Sequence, residues 1–269
     1  MSNRIGIIGC GWLGLPLAEE LQKTGFTVSG TTTSKVKLSS LREKGINPYQ
    51  ISISENKIEG PIAEFLESIS LLIINIPPGL RGKGPKESYV AKIKLLYEAI
   101  KKTDLEKVIF ISSTSVYGDV EGIVTENTRP IPTTESGKQL LECENMFKKD
   151  PEINSNIIRF GGLIGKDRHP ITMLSGKQNL KDGNAPINLI HKNDCIGIIK
   201  LLITKDHWGE ILNAVYPDHP TKESYYSKEA LKRNLPPPTY ESNNHNASKL
   251  IDTCSDFLIN NYNFFTPIN

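Results

Sequence analysis

Ile5-Gly6-Ile7-Ile8-Gly9-Cys10-Gly11-Trp12-Leu13-Gly14 decides how this chain is read. A short β-branched run leads into Gly-x-Gly-x-x-Gly, and Leu13, Leu17, Ala18 and Leu21 then recur at helical spacing up to Gly25. Strand, tight turn and helix form the context in which this glycine pattern binds a dinucleotide. The first glycine permits the turn, the second lets a pyrophosphate approach the backbone, and the third lets helix pack on strand. Unpaired N–H groups and the positive end of the helix dipole would face the phosphates. Pro16 falls in the first turn of a helix beginning near Trp12, where a missing N–H costs little. Gly9, Gly11, Trp12, Leu13 and Gly14 are the expected pyrophosphate-binding residues.

Outward from this stretch, apolar runs and helical stripes alternate. Thr27–Gly30, Tyr49–Ile53, Leu71–Ile76, Val108–Ser112 and Ile157–Phe160 read as strands. Leu71 to Ile76 is nearly all apolar, as expected of a strand buried on both faces. Helical patterns fall at Lys35–Lys44, Ile62–Leu66, Lys86–Lys102 and Gly137–Lys149. Such alternation predicts a doubly wound parallel sheet with right-handed crossovers, an α/β Rossmann architecture. Beyond Gly161 the elements shorten and Gly and Pro become frequent. A helix over Asn193–Thr204, a strand over Ile211–Ala214 and a helix over Lys222–Arg233 remain legible. Residues 1–160 are expected to form the nucleotide-binding domain. Residues 161–269 are expected to interleave the last Rossmann elements with a small substrate-side subdomain.

Composition excludes several function classes. The 269-residue chain is 38% hydrophobic and 23% charged, with a formal net charge of +2. That charge makes no field strong enough to argue for nucleic acid or a membrane surface. No apolar stretch approaches the roughly 20 residues that span a bilayer, and no leader pattern opens the chain. Cys10, Cys143, Cys195 and Cys254 are scattered, without CxxC pairs or metal-ligand spacing. A reducing, cytoplasmic setting and no bound metal are the expectations. Asn246-Ala247-Ser248 matches a glycosylation sequon and is read as a chance match in that setting.

A dinucleotide fingerprint of this kind usually has an Asp or Glu about 20 residues on, bonded to the ribose 2′-hydroxyl. Gly30-Thr31-Thr32-Thr33-Ser34-Lys35 stands there instead. A carboxylate would repel a 2′-phosphate, whereas hydroxyls and a lysine receive it through charge-assisted hydrogen bonds. Thr31, Thr32, Thr33, Ser34 and Lys35 are therefore expected to bind the adenosine ribose and its phosphate. NADP is the expected cofactor, with NAD as the alternative. Ile76-Pro77-Pro78, directly after the fourth strand, is expected to line the path to the nicotinamide.

Ser112-Ser113-Thr114-Ser115-Val116-Tyr117-Gly118 resembles the SSxxVYG segment of the extended short-chain dehydrogenase/reductases, the sugar-nucleotide epimerase and dehydratase group. Arg159-Phe160-Gly161-Gly162-Leu163-Ile164-Gly165 is similar to the LRxxxxxG segment of that family, and Asn188 to Asp194 to its N-x-V/I-H-x-x-D stretch. GWLGLPLA, SSTSVYGD and Arg168-His169-Pro170 resemble the YeeZ-type atypical members. The resemblance covers nearly the whole chain. It implies that Ser113 polarises a substrate carbonyl or hydroxyl; for an acid/base, Tyr117 and His169 are the available candidates. It also implies that Thr114, Arg168, His169, Asn188 and His191 face a small polar substrate. The helices over Lys86–Lys102 and Gly137–Lys149 would pair into the homodimer interface of many relatives. One departure is plain. In that family a Tyr-x-x-x-Lys pair on the next helix relays the proton, and Ser136 and Leu140 hold those places here. Lys138 lies about 200° around the helix from Ser136 and does not replace the lysine.

Three functions follow as expectations. The first is an NADP-dependent epimerase/dehydratase-like or reductase enzyme with an atypical active site. The second is a non-catalytic NADP-binding sensor. The third is an enzyme like the β-hydroxyacid dehydrogenases, whose GxGxMGxxxAxxL opening is close to Gly9–Leu21 but whose second domain is a long helical one.

Overall fold

The structure is a computed structural model that describes residues 3–80, 86–241 and 248–268. Strands run in the order β1 (Arg4–Ile8), β2 (Thr27–Thr32), β3 (Asn47–Gln50), β4 (Ser52–Ile53), β5 (Ile58–Glu59), β6 (Leu71–Ile74) and β7 (Lys107–Ser113). They continue as β8 (Gly122–Val124), β9 (Asn154–Phe160), β10 (Gly162–Ile164), β11 (Leu189–His191), β12 (Ile211–Ala214) and β13 (Lys249–Ile251). The helices are α1 (Gly14–Lys23), α2 (Lys37–Glu43), α3 (Ile62–Glu67), α4 (Tyr89–Ile100) and α5 (Glu135–Lys148). After them come α6 (Ile171–Leu174), α7 (Lys192–Thr204), α8 (Lys222–Lys232) and α9 (Asp256–Asn261).

Seven strands make the main sheet in the order β12-β9-β7-β6-β1-β2-β3. Parallel pairing runs from β7 through β6, β1 and β2 to β3. The expected doubly wound α/β fold is present. Burial explains the apolar runs: every residue of β6 is buried, as are Ile5 to Ile8 of β1. The strand order reverses beside β1, with β2 on one side and β6 on the other. Ligands of such sheets bind outside the carboxyl ends of the strands at this reversal.

Boundaries move where local chemistry intervenes. The run Tyr49–Ile53 does not form one strand. β3 ends at Gln50, and Ser52–Ile53 leaves the sheet to pair antiparallel with Ile58–Glu59. The cause is a turn, in which Ser54 Oγ accepts from the Lys57 N–H and Ser54 N–H donates to the Lys57 carbonyl. Helix α1 begins at Gly14, two residues later than its apolar spacing suggests, so Pro16 is its third residue. Helix α5 begins two residues earlier than expected, at Glu135, because Thr134 Oγ1 caps it by accepting from Gly137 N–H. Asn246 and Ala247 of the sequon lie outside the described residues.

The chain divides into two compact units. The first comprises residues 1–113, 134–158 and 199–211, and the second residues 114–133, 159–198 and 212–269. The second unit has its own apolar cluster of Ile164, Ile171, Ile187, Leu189, Tyr225, Tyr226, Ala230 and Ile268. Its short strands pair in parallel as β10 with β11 and β8 with β13. Elements this short bury little area, so polar struts carry much of their order. Asp194, in the first turn of α7, is fully buried and accepts from Tyr262 Oη at 2.9 Å, Phe265 N–H at 3.0 Å and Thr266 N–H at 3.2 Å. Asp194→Ala strands three donors, and we expect it to cost about 3 kcal/mol or more. Urea unfolding checks this, together with earlier proteolysis beyond Asn261. An unchanged midpoint would show that the carboxylate is not the anchor.

Candidate functional site

The first unit presents the glycine loop at the carboxyl ends of β1 and β6. Gly9 has φ of +102°, and a Cβ there would lie 2.8 Å from the Asn75 carbonyl oxygen. Gly14 opens α1, where a Cβ would lie 2.2 Å from the Gly9 carbonyl oxygen. Gly11 differs from both. It is exposed, and a Cβ there would meet nothing within 4 Å. That open backbone is where a pyrophosphate needs close approach. Helix α1 has no side-chain cap at Leu13 and no acidic residue in its first turn. Its N-terminal dipole thus meets no carboxylate of its own, and the residues present fit a bound anion.

Long-range hydrogen bonds hold the loop in shape. Gly9 N–H donates to Thr31 Oγ1 at 3.1 Å, and Cys10 N–H to the Thr31 carbonyl at 3.1 Å. Asn75 Nδ2 donates to the Gly9 carbonyl at 3.0 Å. Thr31 is buried and its hydroxyl faces the loop, while Thr32 Oγ1 accepts from Ser34 N–H within the turn. Thr33 and Lys35 are exposed and Ser34 is half-buried. The Cys10 thiol is buried inside the loop, and burial pushes its pKa up to about 12, which leaves no thiolate at neutral pH.

The segment after β6 is pinned from the helices. Tyr89 is fully buried and its hydroxyl donates to the Ile76 carbonyl at 2.9 Å. Gln139 of α5 accepts from Tyr89 N–H at 2.7 Å. Pro77 is exposed and Ile76 and Pro78 half-buried. On α5, Ser136 is half-buried, Lys138 exposed and Leu140 buried. At the end of β7, Ser112 Oγ donates to the buried Glu144 Oε1 of α5 at 2.5 Å. Ser113, the last residue of β7, is half-buried.

In the second unit, the 3₁₀ turn Thr114–Tyr117 follows directly. Thr114 and Tyr117 are buried. The Tyr117 hydroxyl donates to Asn213 Oδ1 at 2.9 Å and accepts from a guanidinium nitrogen of Arg159 at 2.8 Å. Burial raises its pKa, and the charge and hydrogen bond of Arg159 lower it in part. Asn188 uses both ends of its amide on β13, donating to the Lys249 carbonyl at 2.9 Å and accepting from Ile251 N–H at 2.8 Å. His191 Nδ1 accepts from Asn193 N–H at 3.2 Å, and burial lowers its pKa. Arg168 is exposed.

His169 is buried and turned inward. Its Nδ1 accepts from Ile171 N–H at 3.2 Å, so Nε2 carries the proton and donates to Tyr225 Oη at 2.9 Å. Tyr225 in turn donates to the Ile268 carbonyl at 2.6 Å. Burial holds the imidazole pKa down to about 4, with Arg233 lowering it further and Glu229 opposing. Among the described residues no cluster of His, Cys, Asp and Glu could hold a metal ion, and all four cysteines are free. No described helix is long and apolar enough to cross a membrane.

The sequence pattern missed Asn75 and Tyr89 as residues that hold the glycine loop and the segment after β6, and, in the second unit, Lys249 as the residue that bonds the Gly118 carbonyl. Asn75 had a signal, since it directly follows β6 at the reversal of strand order. Tyr89 and Lys249 had none, because their partners lie 13 and 131 residues away.

Comparison with known proteins places these features. Residues 4–129 match the model of the NAD binding domain of 6-phosphogluconate dehydrogenase. The Escherichia coli K12 protein YeeZ is 34% identical over 252 residues, covering 93% of this chain and 91% of YeeZ. The Bacillus subtilis protein described as the uncharacterized UDP-glucose epimerase YtcB is 26% identical over 231 residues, covering 76% of this chain and 73% of its own. Among solved structures, MoeE5 in complex with UDP-glucose and NAD superposes with a TM-score of 0.78 at 20% identity, over 98% of this chain and 94% of its own. That last likeness is one of fold.

Two outcomes are expected from this geometry. Gly14→Ala drives a methyl group into the Gly9 carbonyl and should weaken dinucleotide binding at least 10-fold by calorimetric titration, with a lowered Tm. Unchanged affinity would mean that the loop does not hold the cofactor. The second concerns pH. The unfolded chain protonates His169 near its ordinary value of 6.5 and the folded one only near 4, so this contribution is complete above 6.5 and lost as pH falls to 4. It amounts to about 3 kcal/mol. Urea unfolding from pH 7 to 4 should therefore show a shallower loss in His169→Gln than in the wild type, and equal slopes would clear the histidine.

Proposed function

The chain belongs to the YeeZ-like atypical extended short-chain dehydrogenase/reductases, and from that premise we propose an NADP(H)-dependent enzyme acting on a nucleotide sugar by an epimerase/dehydratase-like or reductive step. The observation that carries the reading is the uncapped α1 N-terminus beside the open Gly11 backbone, with no carboxylate after β2. Gly9, Gly11 and the first turn of α1 would hold the pyrophosphate. Thr33, Ser34 and Lys35 would hold the 2′-phosphate, since Thr31 and Thr32 direct their hydroxyls to the loop and the turn. The nicotinamide, when bound, exchanges hydride with a substrate carbon. The nucleotide-sugar class is supported by what is printed of YtcB, named for UDP-glucose, and of MoeE5, seen with UDP-glucose and with UDP-glucuronic acid.

We assign the polarising hydroxyl to Ser113. Tyr117 we assign to holding the 3₁₀ turn, because Asn213 and Arg159 engage its hydroxyl and burial keeps it neutral. Ser136 and Leu140 supply neither a phenol nor a cation, so the usual relay has no equivalent on α5. That substitution favours a second reading, a protein that binds NADP(H) as a sensor without turnover. Arg168, His191 and the second unit remain the proposed substrate side.

Calorimetry and kinetics on the full chain separate these readings. NADPH should bind at least 10-fold tighter than NADH, and Lys35→Glu should erase that preference; tighter NADH in the wild type overturns it. With UDP-glucose or UDP-glucuronic acid, Ser113→Ala should lower kcat about 100-fold while leaving NADPH affinity intact. Intact binding of cofactor and sugar without any wild-type turnover would select the sensor.

A further inference from the structure

Glu144 sits on α5, one helical turn beyond Leu140, and is only 1% exposed. Its carboxylate meets β7, where the buried Ser112 donates its Oγ hydrogen to Glu144 Oε1 at 2.5 Å. Leu140, Cys143 and Phe147 are buried on the same helix, and apolar side chains of that kind suffice to pack a helix on a sheet. A carboxylate buried among them is costly unless hydrogen bonds hold it. What it supplies, and an apolar residue does not, is direction. A short hydroxyl–carboxylate bond fixes both the distance and the rotation of the strand it grips.

The grip falls beyond the β6 ladder. β6 and β7 pair as Leu72 with Val108, Ile73 with Ile109 and Ile74 with Phe110, so Ile111, Ser112 and Ser113 extend past the last pair on that side. Successive side chains leave a strand in opposite directions, so a hold on the rotation at Ser112 also sets the direction of the Ser113 hydroxyl. The same helix reaches the segment after β6. Gln139 Oε1 accepts from Tyr89 N–H at 2.7 Å, and the Tyr89 hydroxyl donates to the Ile76 carbonyl at 2.9 Å. Helix α5 therefore ties down the chain at the carboxyl ends of two neighbouring strands, β6 through Tyr89 and β7 through Glu144.

We propose that Glu144 is a positioning residue: acting through Ser112, it aims the Ser113 hydroxyl at the substrate. Helix α5 thus keeps an orienting role although it carries Ser136 and Leu140 in place of the relay pair. This rests on the assignment of Ser113 in the reading above. The test combines turnover of UDP-glucose and UDP-glucuronic acid by the NADP-loaded full chain, calorimetric NADPH affinity, and hydrogen exchange of the unloaded chain. Ser112→Ala lacks the donor and Glu144→Asp is too short by one methylene. Each should lower kcat about 10-fold, with KM and NADPH affinity within about 2-fold of the wild type. Glu144→Gln, whose amide oxygen still accepts from Ser112, should keep most of the rate. In the Ser113→Ala background, Ser112→Ala should lower kcat no further, because the hydroxyl it would misdirect is gone. Exchange over residues 111–114 should be faster in Ser112→Ala and Glu144→Asp than in the wild type. Wild-type rate or wild-type exchange in these two variants overturns the inference and leaves the reading of Ser113 standing. So does an equal loss of rate from Ser112→Ala in both backgrounds, or a parallel loss of NADPH affinity, either of which marks a plain structural strut. If Ser113→Ala turns over as fast as the wild type, or the wild type turns over neither sugar, the reading itself falls and takes the inference with it.

Discussion

Gly9 is held from two sides, and the nucleotide half of the molecule depends on that grip. Its N–H donates to the Thr31 hydroxyl at the end of β2, and its carbonyl accepts from the Asn75 amide at the end of β6. One partner stands on β2 and the other directly after β6, the two strands that flank β1, so the loop spans the reversal of strand order and cannot drift toward either side. A left-handed φ at Gly9 and the contact of Gly14 with the Gly9 carbonyl then leave one backbone path. The outcome is a rigid turn whose middle residue, Gly11, remains open. A preorganised anion site costs little ordering on binding.

The second unit solves a different problem. Its strands are three residues long and its helices α6 and α9 are short, so backbone pairing alone gives it little stability. Buried and half-buried polar side chains supply the rest. Asn188 clasps β13, Asp194 gathers the segment after α9, and His169 reaches Ile268 through Tyr225. Glu126 adds another strut, accepting from Asn213 N–H, Thr253 Oγ1 and Cys254 N–H. Residues that resemble a family's signature can therefore be part of the scaffold. Polar atoms with both ends engaged hold position well and have little capacity left for a ligand.

Electrostatics sharpens that division. The Cys10 thiol and the His169 imidazole sit in surroundings that favour their neutral forms, because burial penalises the charged state. Tyr89 and Tyr225 are likewise held as neutral phenols by burial. Lys249 is the contrasting case, a cation whose pKa burial lowers and which donates to the Gly118 carbonyl.

The alternation of apolar runs and helical stripes determined the doubly wound sheet, because a strand buried on both faces cannot afford polar residues and a packed helix must show a stripe. β6 and α4 were legible for that reason. The glycine spacing also determined the loop, since steric exclusion of a Cβ is a local property. Thr31 reads in the sequence as a candidate for the adenosine ribose, whereas the structure turns its hydroxyl to the Gly9 N–H as a strut of the loop. Its direction depends on a partner 22 residues away. The same holds for Asn188, His169 and Tyr117, whose residue types suit a substrate site but whose hydrogen bonds are drawn from β13, α8 and β12. Leu140 and Ser136 could be read from the sequence as a departure, whereas Lys249 could not be read at all. A side chain's type is written in the chain; the partner it meets is decided by which distant backbone segments the packed core brings beside it.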